Sequence, residues 1–325
     1  MDSKPIAPAI DAYGTYARAS SLADYLEIST LGGSRVDRAG LADLISDRSW
    51  IVKMDEHFTD PAPPAPRDDF EDDEAGDGEI EDPPGAAQAG RVFDVLAERV
   101  ELLGDDYPFD LSEDELSLKS GFDIRASSYV GILAITLAHA YPTTKPPHNP
   151  KKVLENTVTL ALAERGFEAV NVGEISRKPK TDFRATVTQA GQLVGLRPTP
   201  TAAISNLKAN EEGVDAIAHL PWGRHRAGSW VFIGQVTCAR SDTWKKKAGE
   251  PSVTSWKAYL NVGIHPVAFL AVPHHVEARH LTKLVQDTDR LVLDRLGLTR
   301  FRPAVTDDEA AIVDAVLKAG VEPLA

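Results

Sequence analysis

The chain has 325 residues, enough for two domains, with 42% hydrophobic and 26% charged residues. No apolar run approaches the roughly 18 residues of a membrane helix, and no basic-then-apolar leader opens the chain. The single cysteine, Cys238, excludes an internal disulfide framework and a Cys-based zinc ribbon, so cytoplasmic residence without membrane association is expected. The formal net charge of −14 is uneven: residues 1–150 carry −18 and residues 151–325 carry +4. A phosphate-facing surface in the second half is therefore compatible with an acidic whole.

The first 58 residues read as helical, with apolar spacing from Ala17 to Ile28 and again from Val36 to Ile45 after Gly32-Gly33. Residues 59–90 are rich in proline and acid, with ten acidic residues between Asp68 and Asp82. Such a stretch buries too little apolar area to offset its ordering entropy, and it is expected to be a disordered linker. Helical periodicity returns over 91–145, where Arg91 to Leu103 carries one apolar face and Ser127 to Ala140 is apolar throughout; Tyr107 to Leu111 is extended between them. The prolines of 142–150 mark the expected boundary to a second domain, 150–325.

That second half alternates element types. The pattern predicts a helix over Asn149–Arg165 and a strand over Phe167–Val172, followed by an irregular stretch to Asn210 with one or two helices. Strands follow at Val214–Leu220 and Trp230–Thr237, a helix at Thr254–Val262, a strand at Val267–Val272, a helix at Val276–Val285, and a strand at Arg290–Leu293. The order implies an α/β domain with a mixed sheet and helices on both faces.

Within this domain an early helix acid, Glu155, precedes Gly213-Val214-Asp215 on one strand and Ile233-Gly234-Gln235 on the next. This arrangement resembles the PD-(D/E)xK, or restriction-endonuclease-like, nucleases. The resemblance covers about half the chain and rests on the order and spacing of short motifs. It implies that Asp215, Gln235 and Glu155 hold a hard divalent cation, Mg2+ or Mn2+, through oxygen ligands. It also implies DNA as substrate and a role in bacterial restriction or anti-phage defence. The lysine usual two residues after the second acid is Thr237 here, so the missing charge is expected from Arg240, Lys245, Lys246 or Lys247, with Lys245 and Arg240 the first candidates. The alternative is a catalytically degenerate, nuclease-like interaction subunit that binds a partner protein; homo-oligomerisation is open under either reading. Each residue also has an ordinary explanation. Asp215 could be a solvated loop-end acid, and Glu155 is favoured near a helix start by the macrodipole. Gln235 could be a satisfied core amide.

Other chemistries fit less well. His274, His275 and His280 match no zinc spacing, and neither a phosphate-binding P-loop nor a nucleophile elbow is present. Lys245 to Lys247 beside Trp244 reads as a solvated run or a phosphate-contacting patch. Trp222, Trp230, Trp244 and Trp256 read as core or rim aromatics, and Cys238 as a small buried residue.

Overall fold

Apolar periodicity and capping chemistry account for most of the elements in the computed structural model, which describes residues 4–9, 12–14, 17–35, 37–47, 84–179, 181–200, 213–222, 229–301 and 304–321. Helices α1 (Arg18–Leu31) and α2 (Arg38–Asp47) come first among the described elements, and α3 (Pro84–Leu103) is followed by a small antiparallel hairpin, β1 (Phe109–Leu111) and β2 (Leu116–Leu118). Helix α4 (Ser128–Ala140) is buried over eleven of its residues and is capped by Ser127, whose hydroxyl accepts from Val130 N at 3.3 Å. Most of the expected linker lies outside the described residues. Its last part does not behave as one: residues 84–90 form the start of α3, where Gly85 lies so close to α2 that a Cβ would sit 2.4 Å from Ala42 O.

The second half supplies α5 (Pro150–Glu164), β3 (Glu168–Asn171), α6 (Val172–Ser176), α7 (Phe183–Leu193), β4 (Ala216–Leu220) and β5 (Trp230–Val236). It continues with α8 (Trp244–Ala248), α9 (Val253–Tyr259), β6 (Val267–Ala271), α10 (Ala278–Thr288), β7 (Leu291–Leu293), α11 (Arg295–Phe301) and α12 (Asp307–Ala319). Five strands form one mixed sheet in the order β3-β4-β5-β6-β7. The first two pairings are antiparallel and the last two parallel. The α/β architecture with a mixed sheet expected from the sequence is therefore present.

Alternation of side chains gives the sheet two apolar faces. Ala216, Ala218, Val236, Phe269 and Ala271 point toward α4 and α5, while Ile217, Val231, Ile233 and Ala268 join Val187 of α7 and Trp256 of α9. Phe269 also dictates a glycine: a Cβ on Gly234 would fall 2.0 Å from its ring.

The boundary expected at 145–150 is not a boundary in packing. One core cluster contains Leu22 and Leu26 of α1, Val92 and Leu96 of α3, Val153 and Val158 of α5, the inner face of the sheet, and Ile312 and Val316 of α12. A fully buried ionic group crosses the same junction. Arg295, at the start of α11, makes a two-pronged pair with Asp24 of α1 at 2.6 Å for each contact. Arg99 of α3 pairs with Asp24 at 2.9 Å and with Glu27 at 2.7 Å. Tyr107 and Tyr129 donate their hydroxyls to Glu27 at 2.5 and 2.8 Å, and Arg295 also donates to Pro273 O at 2.9 Å. Burial alone would raise the Asp24 carboxyl, but Arg295 and Arg99 outweigh it and hold the group at about 2. His274, packed edge-on against Tyr13, is pushed down to about 3 by burial and by Arg295.

Replacing Arg295 with Met should cost about 3–5 kcal/mol in urea unfolding, because Asp24 keeps its burial and loses its main partner. A loss well under 1 kcal/mol would show that the group is not buried as described. Stability should also fall as pH drops. His274 stays neutral in the fold but protonates near ~6.5 in the unfolded chain, so its contribution declines from about pH 6.5 downward. Asp24 has the opposite charge type and the same outcome: its contribution is complete above ~4 and is lost as pH approaches about 2. Urea midpoints measured from pH 7 to 4 should decline in the parent and decline less in His274→Gln.

Candidate functional site

Two glycines and a helix start bring charged groups to one end of the β4–β5 pair. Gly213 has φ of +70°, and a Cβ there would lie 2.6 Å from Glu250 Cβ, so the turn into β4 needs glycine. Asp215 then sits just before β4, beside the Gln235-Val236 end of β5. Its backbone N donates to Gly234 O at 2.8 Å, and its Oδ2 accepts from Val236 N at 2.8 Å. The Asp215 carbonyl accepts in turn from Val172 N at 2.8 Å, which ties the end of β3 to the same point.

Helix α5 enters from the opposite side, capped by Asn149 with Pro150 in its first turn. The i,i+4 spacing stacks Lys151 under Glu155. Lys151 Nζ lies 3.6 Å from Glu155 Oε1 and 3.9 Å from Asp215 Oδ1, bridging the two carboxylates. Arg177, which follows α6, holds the other oxygen: its NH2 lies 2.7 Å from Glu155 Oε2. Gly173 leaves room for that pair, since a Cβ would come within 2.9 Å of Arg177 NH1 and 3.0 Å of Glu155 Oε2. Asn171 fixes α6 by accepting from Glu174 N at 2.8 Å and donating to Asn156 Oδ1 at 2.6 Å.

Asp215, Glu155 and Gln235 are all buried. Glu155 Oε1 and Gln235 Oε1 have no hydrogen-bond partner among the described residues. A buried acceptor left this way is costly unless a donor or cation completes it. The set nonetheless contains only two carboxylates, and among the described residues no group of three or more His, Cys, Asp and Glu side chains is arranged to hold a metal ion.

The other residues singled out from the sequence have different surroundings. Thr237 accepts from Ala239 N at 3.1 Å and donates its own N to Ala271 O, so it serves the turn after β5. Lys245 Nζ pairs with Asp287 Oδ2 on α10 at 2.5 Å, and Arg240 pairs with Asp242 at 3.5 Å. The lysine drawn to Asp215 and Glu155 is Lys151, which the sequence reading passed over; its i,i+4 relation to Glu155 on an expected helix was the available signal. His275 accepts from Arg99 Nε at 3.1 Å through Nδ1, and His274 packs between Tyr13 and Trp244. Trp244 and Trp256 are core residues, whereas Trp222 and Trp230 are about half exposed and meet edge to face at 5.2 Å.

No family model, curated protein or solved structure matches the chain.

Cys238 follows Thr237 and is buried near the same charges. Burial pushes its thiol well above the ordinary range; Lys151 acts against that shift and Glu155 adds to it. The native chain should therefore resist Ellman's reagent at mildly alkaline pH and release one thiol per chain only when unfolded in urea. Fast reaction in the native state would place Cys238 in solvent and open the site's inner wall.

Proposed function

We propose that the chain is a metal-dependent DNA nuclease of the PD-(D/E)xK type, hydrolysing phosphodiester bonds. The observation that carries this reading is the convergence of Asp215 and Glu155 on Lys151 at the end of the β4–β5 pair. The element order is compatible with it: the helix bearing Glu155 precedes an antiparallel β3-β4-β5 set, with α6 and α7 between β3 and β4, and β6 joins β5 in parallel. The role in restriction or anti-phage defence, with DNA and any partner protein, comes from the resemblance alone.

The donor set suits a hard cation in part. Asp215, Glu155 and the Gln235 amide offer oxygens only; Gln235 Oε1 has no hydrogen-bond donor among the described residues, while Glu155 Oε1 faces the Lys151 ammonium. Mg2+ or Mn2+, when bound, would lower the pKa of a coordinated water and offset phosphate charge. The chain's own groups do the rest. Arg177 fixes the Glu155 carboxylate, and the Val236 N–H aims Asp215. Lys151, with no lysine available at position 237, orients the attacking water or offsets the charge on the phosphate.

A second reading is favoured by specific residues. A neutral amide at 235, threonine at 237 and an ammonium group already bridging both carboxylates describe a site whose cation has been replaced by a side chain. On that reading the chain is a non-catalytic subunit that binds a partner protein.

Incubation of the purified chain with plasmid DNA and Mg2+ or Mn2+ separates the two. The nuclease reading expects cleavage that falls about 100-fold or more in Asp215→Ala and in Lys151→Met. Cleavage surviving Asp215→Ala would refute the site. Intact plasmid with every metal would favour the subunit reading.

A further inference from the structure

We infer that Lys151 occupies the place between Glu155 and Asp215 in reserve, so that a divalent cation binds there only when a phosphate draws the ammonium group away; this deepens the nuclease reading and rests on it. Lys151 Nζ lies 3.6 Å from Glu155 Oε1 and 3.9 Å from Asp215 Oδ1. A cation shared by the two carboxylates therefore competes with the ammonium group for one position.

Charge supports the exclusion. The two carboxylates face two cationic side chains, Lys151 and Arg177, and Arg177 NH2 is tied to Glu155 Oε2 at 2.7 Å. The acids are thus formally balanced before any metal arrives. A divalent cation added to that set meets an ammonium group at close range, and like charges repel more strongly in a partly buried site than in water. Once Lys151 withdraws, the acids are left with one negative charge in excess, on side chains that are both buried. Charge in that setting is costly until a counter-ion replaces the lost one.

Exposure decides which member moves. Glu155 is held by Arg177, and Asp215 Oδ2 accepts from Val236 N at 2.8 Å, so neither acid can follow a departing partner. The Lys151 side chain is 46% exposed, and both of its contacts are longer than a hydrogen bond. An ammonium group on a flexible stem at the start of α5 can turn to an anion outside while the helix stays in place. On the nuclease reading that anion is a phosphate of the substrate. A ligand that favours the withdrawn lysine shifts the population toward it. By linkage, phosphate and metal then raise each other's affinity.

Calorimetric titration of Mn2+ into the full chain, without DNA, tests this by binding alone. Lys151→Met should bind Mn2+ at least about tenfold more tightly than the parent, although the same variant loses cleavage. Lys152→Met removes the same charge one residue along α5 and should change Mn2+ affinity less than about twofold. A DNA duplex with phosphorothioate linkages should tighten Mn2+ binding by the parent at least about fivefold more than binding by Lys151→Met. Circular dichroism and melting confirm folding, and Lys151→Gln serves in place of a methionine variant that does not fold. Equal or weaker Mn2+ binding by Lys151→Met overturns the inference, as do an equal gain in Lys152→Met and equal gains from the duplex. Each of these leaves the nuclease reading standing if the parent cuts plasmid. A chain that takes up no Mn2+ with or without Lys151 also overturns it. Tighter binding by Lys151→Met, in a chain whose parent cuts no plasmid with any metal, supports the exclusion by Lys151 and rejects the nuclease reading.

Discussion

Four charges without water hold the two halves of this protein together. Asp24, Glu27, Arg99 and Arg295 are all fully buried, and their desolvation is tolerable only because each meets an opposite charge and further hydrogen bonds. Tyr107, Tyr129, Thr136 and the Pro273 carbonyl satisfy what the ion pairs leave over. Such a group stabilises little by itself, but it is intolerant of misplacement. Shifting α1 or α11 by a fraction of a turn would strand a charge in an apolar interior. The apolar cluster that spans both halves supplies the driving force, and the ionic group fixes the register in which it packs.

This arrangement explains what could and could not be read from the sequence. Period-2 and period-3.6 patterns are local, so the strands at 216–220, 230–236 and 267–271 and the helices at 128–140 and 150–164 were legible to within a few residues. Short or mixed elements were not. The hairpin strand Leu116–Leu118 is too brief to show a period, and α8 hides in a lysine run whose buried members are Trp244 and Ala248. Helix α12 passed unnoticed despite a Thr306–Glu309 capping box, a local signal that was present. Residues 84–90 looked like linker because composition averages over a window that the helix start divides.

The site was legible in the same uneven way. Glu155 and Asp215 follow a spacing that topology converts into proximity through Lys151, whereas no contact joins the Gln235 side chain to them among the described residues. Lys151 itself follows no such spacing, because it lies on α5, whereas the lysine of the resembled motif follows the second-acid strand. The two glycines of the motifs have steric reasons that only three dimensions supply: Gly213 turns at positive φ against Glu250, and Gly234 lies under the Phe269 ring. Helix α5 joins both levels. Val153, Leu154 and Val158 bury one face in the shared core, while Lys151 and Glu155 present charge at its first turns. Chemistry built on a helix so anchored is held by the packing of the whole chain.

The span of the Asp24–Arg295 pair, 271 residues, bears on how the chain comes off the ribosome. Synthesis proceeds from the N-terminus, and early segments usually fold as they emerge. Here α1 and α3 are made before α11, with two acids and one arginine that belong in a dry interior, and the balancing guanidinium arrives only 271 residues after Asp24. Until then those helices have reason to stay loose or wet, and closing so large a loop is slow. The late arrival of Arg295 leaves the ionic group open until α11 has been made.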